Sequence, residues 1–299
     1  MTVRVAVFAA FDKDGIVHDY VLSYLKKLKS IADKIVFVAD NEASESERQK
    51  LDGLADVAIF KPHGEYDFGS YKRGVALAKQ NGFLNSADEL ILCNDSCFSV
   101  GVFNAAFDKM TAEPCDFWGM CESVEQCRHL QSFFLVFKRS VFDSAVFDGF
   151  FNAVRKQSGF SAVVQTYEIP LLKAFETTGF KGAALLPAFC RSNPTFYPLS
   201  LLNSGAFLIK RKVFAQQFYS RQSVRITLKM LYTAFPSDYS DILKYFGTGK
   251  ARNIWMPLIR ARIKQRLMRF LFQEKTRNGK TVFKICKIPV LIKKQKNLD

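Results

Sequence analysis

Four short apolar runs punctuate the first hundred residues, at 3–10, 35–39, 57–60 and 89–93, and each closes in a polar turn. Runs of this kind, apolar at successive positions rather than at alternate ones, fit strands buried on both faces, the situation of a parallel sheet. The pattern between them changes to helical spacing. Val17, Val21, Tyr24, Leu25 and Leu28 recur on one side, with Lys26, Lys27 and Lys29 on the other. A second helix is predicted over 69–80, stopped by Asn81-Gly82. Alternating strand and helix predicts an α/β fold, an open, mostly parallel sheet with helices on both faces. Further strands are predicted at 117–119, 132–138 and 182–186, and helices near 101–111, 140–156 and 167–178. A hydrophobic content of 48% with 30 Phe supplies a dense core for a chain of 299 residues and argues against disorder.

In open parallel sheets ligands sit beyond the carboxyl ends of the strands. Four polar turns fall there, at 12–15, 40–41, 66–72 and 94–96. The last lies in LCNDSCF, where Asp95 stands between an amide and a hydroxyl just as a buried strand surfaces. Asp12, Asp40, Tyr66, Asp67, Lys72, Asn94, Asp95 and Ser96 are therefore the candidate ligand contacts. Each has a plainer reading: Asp40-Asn41 and Asn94-Asp95-Ser96 are ordinary turn sequences, Asp67 is suited to cap a helix, and Lys72-Arg73 to face solvent. His129 and Gln131 flank a predicted strand and share one face of it, as acceptor contacts or, for His129, as a further metal ligand; a hydrogen-bonded structural role is the alternative.

Charge divides the chain unevenly. Residues 200–299 hold 22 basic and 4 acidic side chains, whereas the first 199 hold 21 and 24. Only the last third calls for a polyanionic partner. Over 254–271, Ile259, Ile263, Leu267, Phe270 and Leu271 form one helical stripe opposite Arg262, Arg266 and Arg269. Such a basic amphipathic helix suits an anionic membrane surface, or packing against the domain with an ordinary wet face. The longest uncharged run, 192–209, is broken by Pro194, Pro198 and Gly205 and is a poor membrane span. Seven Cys and an N-terminus that alternates like a strand rather than a signal peptide predict reduced thiols in the cytoplasm. Their spacing lacks the tight pairs of a zinc site.

Several stretches in order are more specific than any one of these features. VAVFAAFDKDGIVHDYV at 5–21, YDFGSYKRG at 66–74, LILCNDSCF at 90–98, HLQSFFLVFKRSV at 129–141 and YEIPLLKAFETTGFKGA at 167–183 are followed by NPT at 193–195 and FLIKRKV at 207–213. Together they resemble the rhamnan synthesis protein F family of polysaccharide-building glycosyltransferases, and more distantly the nucleotide-sugar transferases of the GT-A fold. The resemblance implies a GT-A-like domain over 1–212 and leaves 213–299 as a basic, mainly helical extension. It implies that Asp40 holds the donor base, that Asn94-Asp95-Ser96 stands where a DxD turn holds Mg²⁺ or Mn²⁺ on the pyrophosphate, and that Glu168, at a helix start, is the catalytic base; the alternative for Glu168 is an acid that caps that helix. That turn carries one carboxylate where the motif has two, so a metal-independent enzyme using Lys72 or Arg73 is the alternative. The implied function is transfer of a sugar, L-rhamnose from dTDP-L-rhamnose, onto a growing cell-surface polysaccharide or lipid-linked glycan, with inversion, at the inner face of the cytoplasmic membrane. The alternatives are a non-catalytic scaffold of polysaccharide assembly and, on the basic tail alone, a nucleic-acid-binding protein; no nucleic acid is expected as partner.

Overall fold

The computed structural model describes residues 2–215 and 221–247 and, further on, the backbone of 272–277, 280–285 and 288–290. The strands of the main sheet are β1 (Arg4–Ala10), β2 (Lys34–Ala39), β3 (Val57–Phe60), β4 (Glu89–Asn94), β6 (Phe117–Ser123), β7 (His129–Leu130), β8 (Phe134–Lys138) and β9 (Gly182–Leu186); β5 (Cys97–Ser99) lies outside it. Their order is β3-β2-β1-β4-β8-β6-β7, with β9 beside β6. β3, β2, β1 and β4 run parallel, β8 is antiparallel to both β4 and β6, and β9 is parallel to β6. The α/β class and the mostly parallel sheet are as the apolar runs require.

β1 shows why those runs are unbroken. Val5, Val7 and Ala9 belong to the core beneath helix Tyr66–Gln80, together with Tyr71, Val75 and Ala78. On the other face Phe8 meets Tyr24 of helix Asp19–Lys29 edge-on, with ring centroids 5.1 Å apart. A strand covered twice has no wet positions to alternate with. The helix over 66–80 can lie close because Gly74 has no side chain; a Cβ there would stand 2.2 Å from Cγ1 of Val7.

β5 pairs antiparallel with β10 (Leu208–Lys210), which sets Lys210 opposite Cys97. This ribbon ties distant sequence to the end of β4. The compact unit then continues past the boundary expected at 212. Helices Arg221–Ala234 and Pro236–Gly247 follow, and the unit ends at Tyr245. Asp238 pairs with Lys27 at 2.5 Å and accepts the Gly101 amide at 2.8 Å, Asp241 accepts from Ser23, and the Tyr245 hydroxyl accepts from Arg211 at 2.9 Å. Such polar contacts join the described part of residues 221–245 to the first domain rather than leaving it as an extension.

In the second unit, Phe246–Asp299, the described backbone is three antiparallel strands, β11 (Phe272–Arg277), β12 (Lys280–Ile285) and β13 (Ile288–Val290). A mainly helical reading does not hold for that part. The signal against it was present: Thr281, Phe283 and Ile285 alternate with Lys280, Val282 and Lys284, and Asn278-Gly279 separates the paired Arg277 and Lys280. The basic helix expected over 254–271 lies outside the described residues. Among those described, no helix is long and apolar enough to cross a membrane.

Candidate active site

Neighbouring parallel strands place their polar ends on one rim. The Asp40 amide donates to Ala10 O at 2.9 Å and the Asp95 amide to Ala9 O at 3.0 Å, which brings the turns after β2 and β4 against the end of β1. Above them opens a cavity of about 530 Å³. Asp40, Tyr66, Asp67, Asn94, Asp95 and Ser96 all line it, as expected, joined by Phe11 and by Lys156, Gln157, Ser158 and Phe160 from a loop.

A chain of hydrogen bonds forms the floor. Asn94 Nδ2 donates to Asp67 Oδ2 at 2.9 Å, and Asn94 Oδ1 accepts the Ser96 hydroxyl at 2.5 Å. Lys210 Nζ in turn donates to Ser96 Oγ at 2.8 Å and sits 4.3 Å from the centre of the Phe133 ring. Burial, and after it the charge of Glu168, push the Asp67 carboxyl up to about 6, against the pull of Lys210 and of the hydrogen bonds from Phe68 and Asn94. A carboxyl group held near neutrality in this way is suited to take up or release a proton at the cavity.

Glu168 itself does not line the cavity. Its Oε2 accepts from the Ser132 amide at 2.9 Å and from the Ser132 hydroxyl. Nor does it start a helix. Helical backbone runs on from Phe160, through a π-turn over Val164–Glu168, into Ile169–Glu176. Pro170 explains the turn: it has no amide proton to donate and its ring crowds the preceding turn, so the helix widens just before it and Ile169 N reaches back to Val164 O. The widened turn is what aims Glu168 at Ser132 rather than leaving it as a cap.

Four other expected contacts are directed elsewhere. Asp12 accepts from the amides of Asp14 and Ile16 and lies 3.1 Å from His18 Nε2; burial pushes its carboxyl up, but these bonds outweigh that and hold it below its ordinary range. Lys72 Nζ donates to Val154 O at 3.1 Å and does not line the cavity, while Arg73 pairs with Glu65 at 2.6 Å. His129 and Gln131 do share a face, but both are 4% exposed. His129 Nδ1 lies 2.8 Å from Cys127 O and Nε2 3.1 Å from Gln131 Nε2, so each nitrogen already has its partner. This is the structural role, and neither residue is open to an acceptor. Asp40 lines the cavity, yet its carboxylate takes the amides of His63 at 2.5 Å and Gly64 at 2.8 Å and so also fixes the loop after β3.

Aromatic side chains rim the opening. Phe11, Tyr66 and Phe160 are 55%, 40% and 54% exposed, and the Tyr66 and Phe160 rings lie 6.2 Å apart. Tyr66 has φ 57°, a left-handed conformation that a bulky residue holds only at a cost, on the order of 1–2 kcal/mol. It sits at the helix start that delivers Asp67.

The family model described as rhamnan synthesis protein F matches residues 35–248, well over half of the chain. The chain belongs to the rhamnan synthesis protein F family. Uncharacterized protein y4gN of Sinorhizobium fredii is 25% identical to it over 181 residues, 58% of this chain and 46% of that one. The chain thus spans about half the length of the curated relative it matches. Among solved structures, 4-diphosphocytidyl-2C-methyl-D-erythritol synthase of Anaerococcus prevotii aligns with TM-score 0.44 and 8% identity, covering 77% of this chain and 98% of that one. Glucosyl-3-phosphoglycerate synthase of Mycobacterium tuberculosis aligns with TM-score 0.38 and 11% identity, covering 78% and 79%. Superpositions this partial assign no chemistry.

Against the metal expected of a DxD-like turn, the donor set of this family member fits poorly. Mg²⁺ and Mn²⁺ sites gather several oxygens, commonly one or two free carboxylates together with phosphates. Asp95 Oδ2 instead faces Arg211 Nη2 at 3.7 Å, with the Phe11 amide and the Tyr20 hydroxyl each at 3.4 Å. Burial pushes the Asp95 carboxyl up, and Arg211 pulls it back. The other carboxylate of the floor, Asp67, holds Asn94. Among the described residues no cluster of three His, Cys, Asp or Glu side chains could hold a metal. Sequence reasoning missed the cations found here: Lys156, which lines the cavity, Lys210 on Ser96 and Arg211 beside Asp95. FLIKRKV was visible as a block, but only the β5–β10 pairing brings it to the end of β4.

Proposed function

We propose that this protein is a glycosyltransferase that moves L-rhamnose from dTDP-L-rhamnose onto a growing cell-surface polysaccharide or lipid-linked glycan, with inversion. The observation that carries the reading is the convergence of Asp40, Asp67 and Asn94-Asp95-Ser96 on one cavity of about 530 Å³ at the carboxyl ends of parallel strands. That volume accommodates a nucleotide sugar, and membership of a polysaccharide-synthesis family supplies the reaction class. Phe11, Tyr66 and Phe160 offer flat apolar surface for a nucleobase at the rim, and Asp40 stands beside it. The role expected of Glu168 is shared: Asp67 lines the cavity and Glu168 sits behind it. Asp67 removes the proton of the acceptor hydroxyl as that oxygen attacks the anomeric carbon. The nucleoside diphosphate leaves from the opposite face with the bonding electron pair, and Glu168 sets the proton affinity of Asp67 through its charge.

Purified protein with dTDP, UDP or GDP is the direct test. A nucleotide that fills the cavity raises the melting temperature, and dTDP is expected to raise it most. With dTDP-L-rhamnose and membrane extract, release of dTDP and a new rhamnosyl linkage are expected. Failure of all three nucleotides to bind would remove the reading. The basic sequence over 254–299 supports attachment to an anionic membrane surface facing the cytoplasm. The full chain should float with anionic liposomes and a chain ending at 253 should not; equal flotation of both would remove that part.

A further inference from the structure

One ammonium group lines the cavity and two others contact residues that line it. Lys156 lines it directly. Lys210 donates to Ser96, which lines it. Lys212 lies 4.6 Å from the centre of the ring of Phe160, which also lines it. Lys210 and Lys212 are two residues apart at the end of β10, close enough that Lys210, after partial burial, pushes the Lys212 ammonium below the ordinary lysine range. Neither has a salt bridge to a carboxylate within 4 Å among the described residues; Glu168 and Asp67 act on them from further away. Like charges gathered without close counter-charges are an unfavourable arrangement that an anion relieves. The carboxylate that a metal would use, Asp95, is meanwhile occupied by Arg211, whose buried Nε has no hydrogen-bond partner.

We infer that Lys156, Lys210 and Lys212 together hold the diphosphate of the nucleotide donor and take the place of a divalent cation. This rests on the reading of the cavity as a nucleotide-sugar site. Lysine is a compact point charge with three donors, and it serves phosphate well where bidentate geometry is not needed. Three such charges can offset the negative charge that grows on the leaving diphosphate without any metal-bridged oxygen. Lys210 acts on Asp67 and Glu168 on Lys212 only from beyond salt-bridge distance, so a bound diphosphate would be the nearer counter-charge.

Titration calorimetry of the full chain with dTDP, in excess EDTA and again with Mg²⁺ or Mn²⁺, tests the inference. The affinity is expected to agree within about threefold across the three conditions. Lys210→Gln, which retains a donor for Ser96, and Lys212→Met should each weaken dTDP roughly ten- to hundredfold. The same variants should weaken dTMP less, since it presents one phosphate. Circular dichroism confirms that each variant is folded, and the two variants report independently. Binding that strengthens more than tenfold on adding the cation would overturn the inference and leave the nucleotide site standing. So would unchanged dTDP affinity in both folded variants. Absence of dTDP, UDP and GDP binding under every condition would instead overturn the nucleotide-sugar reading, and this inference with it.

Discussion

Asp67→Asn is expected to melt higher than the parent protein above pH 7 and to lose sugar transfer. The folded protein holds the Asp67 carboxyl at about 6, against 3.8 for the unpaired group. Between those values the folded state keeps a proton that the unfolded chain releases. Stability therefore falls as pH rises through that window and stays reduced above it. The full shift corresponds to about 3 kcal/mol; for a half-buried group we expect roughly 1–2 kcal/mol, or a rise of about 2–6 °C in melting temperature. Asparagine does not titrate, and its carbonyl can still accept from Asn94. Its advantage should vanish below about pH 3, where the parent carboxyl is protonated in both states. Turnover should fall roughly 10²- to 10⁴-fold, because the amide cannot take the acceptor proton. Glu168→Gln separates the two carboxylates. Without the Glu168 charge, Asp67 binds its proton less tightly, so the acid limb of kcat/KM, expected near pH 6, should move down while activity on its plateau survives in part. An Asp67→Asn protein that melts lower at pH 8, or that keeps normal turnover, would show that Asp67 is not the strained base.

The parts of this site that the sequence discloses are those set by local pattern. Unbroken apolar runs gave β1, β2 and β4, and the polar residues just after them had to emerge on one rim, so Asp40 and Asn94-Asp95-Ser96 could be placed before any coordinates. Side-chain direction within a turn or helix was less visible. Lys72 and Asp67 are five residues apart on the same helix, yet Asp67 faces the cavity and Lys72 faces Val154. Asp12 had enough nearby amides to satisfy it locally, and a carboxylate in that position folds back on its own turn. The position of Glu168 depended on Pro170, whose effect on a helix already in progress is a widened turn, whereas at a helix start it has none. Lys210 and Lys212 could not be assigned at all from spacing. They lie more than a hundred residues from Ser96, and only the antiparallel pairing of β5 with β10 makes them neighbours. Long-range pairing of two short strands leaves little periodic signal, because three residues are too few to show a period.

Gly74→Ala should be among the most destabilising single-methyl changes in the domain. In an exposed helix the same substitution is stabilising by about 0.5–1 kcal/mol, because glycine loses the most backbone freedom on folding. Gly149 provides that reference case: it lies in helix Ala145–Asn152, a Cβ would meet nothing within 4 Å, and Gly149→Ala is expected to raise stability by about that amount. At Gly74 the sign reverses. The added Cβ would stand 2.2 Å from Val7 Cγ1 and 3.2 Å from Val38 Cγ2. Both valines are fully buried in adjacent strands, and a β-branched side chain has few other rotamers to move to. The helix must lift, at a cost of roughly 2–4 kcal/mol and a fall of about 5–10 °C in melting temperature. Lifting it also displaces Tyr66 and Asp67, which its first turn holds at the cavity, so the affinity for dTDP should fall together with stability. Thermal melts of the two alanine variants side by side would decide the matter. If Gly74→Ala proves neutral, or gains stability as Gly149→Ala should, the close seating of this helix on β1 is not what fixes Asp67 over the sheet edge.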